Sequence, residues 1–107
     1  NKTAQLPVMI FIHGGGFYSG AGSLPTYNGT NFVGISGDMV YVSINYRLGP
    51  LGFLANEAIY NEDPNYKSTG GLNGIYDQIT AIKWVKEYIT DYGGNSDDIT
   101  IFGESAG

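Results

Sequence analysis

The run Ile99-Thr100-Ile101-Phe102 is β-branched and aromatic, reads as a short buried strand, and passes directly into Gly103-Glu104-Ser105-Ala106-Gly107. This G-x-S-x-G ending constrains the chain more than any other feature. Glycines two before and two after the serine remove the Cβ atoms that would collide in a tight strand-to-helix turn. A serine on such a turn projects its hydroxyl above the sheet, where a nucleophile belongs. With 17 glycines in the chain, composition alone would produce the pattern roughly one time in six. The strand in front of it is what gives it weight.

A second strand-and-glycine unit lies upstream. The apolar run Val8-Met9-Ile10-Phe11-Ile12 ends on His13-Gly14-Gly15-Gly16. Three glycines bare their backbone N–H groups and admit a close approach, which suits a loop that binds a negative oxygen. Donors are expected from Gly15, Gly16 and the N–H of Ala106. The alternative is a merely flexible glycine loop.

The motifs and their order resemble a known family. Gly14-Gly15-Gly16-Phe17-Tyr18-Ser19-Gly20, Asn45-Tyr46-Arg47, Gly52-Phe53-Leu54-Ala55, Asp77-Gln78 and Phe102-Gly103-Glu104-Ser105-Ala106-Gly107 are similar to those of the type-B carboxylesterase/lipase family. That family includes the cholinesterases and, among its non-catalytic members, neuroligin-like adhesion proteins. The resemblance runs from about residue 7 to the end, with no match over roughly 56 to 70. It implies an α/β-hydrolase fold, a small-molecule ester substrate, and no metal or organic cofactor. It leaves three readings open, namely an esterase, a lipase of the same fold, and a catalytically silent adhesion domain.

The same order of motifs implies that part of the chemistry lies elsewhere. In α/β-hydrolases the catalytic acid and histidine follow the serine, and only Ala106 and Gly107 follow Ser105 here. Residues 1–107 are therefore read as a partial α/β-hydrolase domain, incomplete at both ends, inactive and poorly soluble if expressed alone.

Secondary structure follows from periodicity. Strands are expected at about 7–13, 39–46 and 98–103. One long helix is expected from Gly74 to Tyr92, because Ile75, Ile79, Ile82, Val85, Ile89 and Tyr92 recur at steps of three and four. Asn73 stands where an N-cap should, and Gly93-Gly94 where a helix should stop. Lys83, Lys86 and Glu87 fall off the stripe and should be solvated, and Trp84 reads as packing. Residues 14–37 read as a loop with a helical turn near Tyr27–Val33, and 49–71 as irregular. The strand–helix–strand alternation argues for an α/β class with a parallel sheet and right-handed crossovers.

Individual residues take definite expectations. His13 is the single histidine, yet it directly precedes the glycines, where a positioning residue belongs and the base does not. With Gly14 it is read as support for the loop. Glu104 has two readings, an electrostatic or water-positioning role implied by the resemblance, or simple hydrogen-bonded support of the turn. Phe17 and Tyr18 either line the entrance to the site or pack the loop. Arg47 and Asp77 resemble a buried structural ion pair of the family, the alternative being two unrelated surface charges.

Charge excludes some partners. The net charge is −5, and the five basic residues Lys2, Arg47, Lys67, Lys83 and Lys86 form no run, which argues against nucleic acid. The longest apolar run is far below the ~20 residues of a membrane span; membrane association is otherwise open. No cysteine is present, and family disulfides would lie outside this segment. Asn1-Lys2-Thr3 and Asn28-Gly29-Thr30 fit the N-glycosylation pattern. Since many relatives enter the secretory pathway, that residence is the leaning, and its test is glycan release. A mass shift on peptides spanning Asn28 is expected, and a peptide never modified would count against it.

Overall fold

The computed structural model describes residues 3–62 and 68–107. Three strands, β1 (Leu6–Ile12), β2 (Val40–Ile44) and β3 (Gly94–Gly103), form one parallel sheet in the order β2-β1-β3. This parallel sheet with helices in its connections is the α/β class expected from the alternation of elements. β1 is central, with Ile10 opposite Val42 on one side and Ile101 on the other. Side chains alternate across the pleat, so Val8, Ile10 and Ile12 share one face while Met9 and Phe11 share the other.

Each face finds a different cover. α4 (Asn73–Tyr88) lays Val85 and Ala81 against Val8, Ile10, Ile12 and Ile44, with Ile89 just beyond its end. On the opposite face Phe11 meets Tyr27 at 4.8 Å and Phe102 at 5.3 Å between ring centres. Phe32 of α1 (Thr30–Ser36) closes that cluster against Tyr41 and Phe102. Gly29 is required there, because a Cβ on it would stand 2.3 Å from the Tyr41 ring.

Several expectations are corrected in detail. β3 begins at Gly94, four residues early, since Gly94 pairs with Leu6 across an irregularity in the register. α4 ends at Tyr88 and continues as a 3-10 turn, Ile89–Tyr92, stopped by Gly93 at φ 88°. The helix is capped at Leu72, not Asn73, whose side chain instead accepts from the Thr69 hydroxyl and donates to the Leu51 carbonyl. The apolar stripe is only partly covered, as Ile79 and Tyr92 are exposed. Trp84 packs on Tyr88 and Tyr92 along the open side of the helix.

The stretch read as irregular contains two short helices, α2 (Gly49–Phe53) and α3 (Glu57–Tyr60). In the loop read to hold one turn, a 3-10 turn at Pro25–Tyr27 precedes α1. Lys83, Lys86 and Glu87 are exposed. Lys2, Asn1 and Lys67 lie outside the described residues.

The assembly is a slab, 49 × 30 × 15 Å, with a radius of gyration of 16.0 Å. A compact domain of this length would have about 13 Å. Ile10, at 0% exposure, is the most enclosed core side chain. Ile10→Ala should cost about 2–5 kcal/mol through lost contact and a residual cavity, read as a lower urea midpoint of the intact protein.

Candidate active site

Both glycine motifs stand at the carboxyl ends of adjacent parallel strands, the edge where α/β sheets bind ligands. The register puts Ile12 opposite Gly103, so the turn after β1 and the turn after β3 leave the sheet side by side. The two glycines of the second turn are needed for space. A Cβ on Gly103 would lie 2.4 Å from the Gly107 carbonyl carbon, and one on Gly107 would lie 2.0 Å from the Ile12 oxygen.

Ser105 itself carries the conformational cost. Its φ is 54°, in the left-handed region that a residue with a side chain seldom adopts, at roughly 1–2 kcal/mol. The Gly107 N–H closes the turn onto the Glu104 carbonyl at 2.9 Å. Ser105 and Glu104 are exposed.

The first glycine loop packs directly on this turn. A Cβ on Gly14 would sit 2.6 Å from Glu104 Oε2 and 3.0 Å from Ser105 Cβ, so only glycine fits between them. Gly15, Gly16 and Phe17 then run through positive φ values of 115°, 62° and 67°. The Gly15 carbonyl turns inward to accept from Ser19 N at 3.0 Å and Ser19 Oγ at 3.1 Å. Among the described residues no hydrogen bond engages the N–H of Gly15, Gly16 or Ala106. Two of these donors follow Gly14, the glycine that abuts Ser105, and the third follows Ser105 itself in the chain.

His13 is buried, with its ring stacked on Tyr46 at 4.6 Å. Its Nδ1 donates to the Gly14 carbonyl at 2.7 Å, and the Tyr46 hydroxyl donates to the His13 carbonyl at 2.7 Å. Burial pushes the Tyr46 phenol above its ordinary pKa. No hydrogen bond joins His13 to Ser105 among the described residues, and its Nε2 is buried there without a partner.

Phe17 rests against Phe53 at 5.0 Å, whereas Tyr18 is largely exposed. A groove of about 450 Å³ between β2 and α4, lined by Val42, Asp77 and Trp84 among others, lies away from Ser105. Among the described residues no group of three or more His, Cys, Asp or Glu side chains is arranged to hold a metal. None of their helices is long and apolar enough to cross a membrane. Asn28 is exposed and accepts from Thr30 N at 2.9 Å.

Arg47 and Asp77 meet as a two-pronged pair, Nε to Oδ2 at 2.8 Å and Nη2 to Oδ1 at 2.9 Å, with Arg47 N also donating to Oδ2. The expected burial is corrected. The side chains are 52% and 27% exposed, and the pair joins the segment after β2 to the second turn of α4. Tyr46 and Ser19 entered the sequence reading only as members of the Asn45-Tyr46-Arg47 and Gly14-to-Gly20 motifs, with no role expected of either, since a single tyrosine or serine after a strand or in a loop carries no periodic signal.

A sequence model of the carboxylesterase family matches residues 1–107. The chain belongs to the carboxylesterase family. It is 50% identical over 103 residues to the para-nitrobenzyl esterase of Bacillus subtilis, covering 96% of this chain and 20% of that protein. It is 46% identical over 106 residues to the acetylcholinesterase of Danio rerio, covering 99% of this chain and 16% of that one. Among solved structures, a carboxylesterase of Geobacillus stearothermophilus superposes with a TM-score of 0.86 at 47% identity, covering 98% of this chain and 21% of that one. The chain thus spans about a fifth of the length of these relatives.

The ion pair gives a pH signature. Hydrogen bonds from Arg47 hold the Asp77 carboxyl below its ordinary 3.8. A lowered folded-state pKa contributes stability that is complete above the unfolded value and lost as pH falls through the folded one. Asp77→Asn should therefore lower the Tm of the intact protein between pH 5 and 7 by a constant amount. That gap should close progressively below about pH 4.

Proposed function

We propose that this chain is the nucleophile-bearing part of a serine carboxylic-ester hydrolase. Residues 1–107 are then one section of a larger α/β-hydrolase domain. Ser105 attacks the carbonyl carbon of a small ester, and the carbonyl oxygen becomes an oxyanion. The N–H groups of Gly15, Gly16 and Ala106 bind that oxygen. The alcohol departs, leaving an acyl group on Ser105 that water then removes. The histidine that takes the serine proton and the acid that orients it belong to polypeptide outside residues 1–107, as the chain order of the fold requires. His13 supports the loop, and its ring nitrogen is already committed to the Gly14 carbonyl.

One observation carries this reading. The strained Ser105 and the free-donor glycine loop are packed against each other with no room for a Cβ at Gly14. A donor within reach of a developing oxyanion is worth about 10²–10³ in kcat, and a fold that only served adhesion would gain nothing from holding such donors against a strained serine. The names of the relatives, esterases and a cholinesterase, support the same substrate class. Glu104, with Oε2 against Gly14, is suited to stabilise positive charge or hold a water beside the serine. Phe17 and Tyr18 follow the loop and suit an apolar entrance wall. The two intact motifs favour ester hydrolysis over the silent adhesion reading.

Ser105→Ala in the intact protein should lower kcat on p-nitrophenyl acetate by about 10⁴-fold or more while leaving Tm unchanged or raised, because strain at φ 54° is no greater for alanine. Retained turnover would contradict the proposal.

A further inference from the structure

A trans peptide carries its C=O and the following N–H on opposite sides of one rigid plane. Anchoring a carbonyl therefore aims the next N–H. Three successive planes of the glycine loop are anchored in this way. The His13 carbonyl accepts from the Tyr46 hydroxyl at 2.7 Å, and the Gly14 carbonyl accepts from His13 Nδ1 at 2.7 Å. The Gly15 carbonyl accepts from Tyr18 N, Ser19 N and Ser19 Oγ.

The middle anchor differs from the third. Gly15 is held by two main-chain donors and a side chain, so its plane is set by the loop itself. Gly14 is held by a single imidazole N–H, and the Gly15 N–H depends on that one bond. A carbonyl oxygen only accepts, so Nδ1 must carry the proton and Nε2 must not in the neutral ring. Tyr46 fixes where that imidazole sits. The two rings are stacked at 4.6 Å and 20°, both buried, while the Tyr46 hydroxyl holds the same residue's carbonyl.

We infer that Tyr46 is a positioning residue of the oxyanion loop, acting through His13 to aim the Gly15 N–H at the oxygen bound beside Ser105. The inference rests on the esterase reading above. Tyr46 touches no substrate. Its hydroxyl and its ring constrain His13 from two sides, and the His13 Nδ1–H sets the plane that carries the donor.

The test uses the intact protein, p-nitrophenyl acetate as substrate, and a fluorophosphonate to count competent serines. Tyr46→Phe keeps the stacked ring and removes the hydroxyl. The expected result is a kcat per labelled site lower by about tenfold or more with KM within about twofold, as for a misaimed oxyanion donor. In a His13→Phe background the clamp on Gly14 is already gone. The same Tyr46→Phe change should then cost less than about twofold, since residues acting as one unit are not additive. A measurement on the unaltered protein needs no variant at all: selective ¹⁵N-histidine NMR should show a proton on His13 Nδ1, as the bond to the Gly14 carbonyl requires.

Three results would overturn the inference: unchanged kcat per site in Tyr46→Phe, losses that multiply in the double variant, or a His13 ring with no proton at Nδ1. Failure of the esterase reading itself is separable, because the wild-type protein would then neither take the label nor turn over the ester.

Discussion

The parallel pairing of β1 with β3, which sets Ile12 opposite Gly103, is the constraint from which the site follows. Two strands distant in sequence end at the same level, so the turns that leave them collide unless both are built from glycine. At Gly14, Gly103 and Gly107 a Cβ would strike backbone or the neighbouring turn. Only then can Ser105, at φ 54°, stand beside a loop whose N–H groups are unengaged. The core beneath, Ile10 and Val8 under Val85 of α4, holds that register by burying one face of β1. A slip by one residue would turn that face outward.

Electrostatic preorganisation is the second layer. Donors that stabilise an oxyanion are effective when they are already aimed and need no reorganisation as charge develops. On the proposed reading the aiming is done from behind, through the carbonyls of the same peptide planes. Tyr46 and His13 are both buried and tie the end of β1 to the segment that follows β2. Arg47, next in sequence, ties that same segment to α4 through Asp77. The stretch Asn45-Tyr46-Arg47 thereby links all three elements around the glycine loop, since Asn45 also accepts from Gly22 N at 2.9 Å.

Much of this was legible in the sequence because it depends on local rules. Strand runs, the helical period of α4 and the glycine stop at Gly93 all follow from side-chain spacing and backbone freedom. The parallel sheet followed from the alternation of elements. What was missed depends on partners. Asn95, Ser96, Asp97 and Asp98 are polar and give no strand signal, yet they extend β3 because Gly94 pairs with Leu6. Asn73 resembled a cap, but Thr69 and the Leu51 carbonyl compete for its amide. The Arg47–Asp77 pair was expected to be buried, while its exposure depends on what packs over the start of α4. Tyr46 was legible only as part of the Asn45-Tyr46-Arg47 motif and its role was not, since that role lies in two contacts with a residue 33 positions away.

The central claim is that Ser105 is an activated nucleophile beside an assembled oxyanion loop. The most direct measurement is fluorophosphonate labelling of the intact, folded protein, followed by mass spectrometry of the peptide that contains Ser105. The account predicts a single adduct on Ser105, prevented when the protein is unfolded before labelling. A well-folded protein that takes no label at Ser105, or takes it on another serine, would contradict the account.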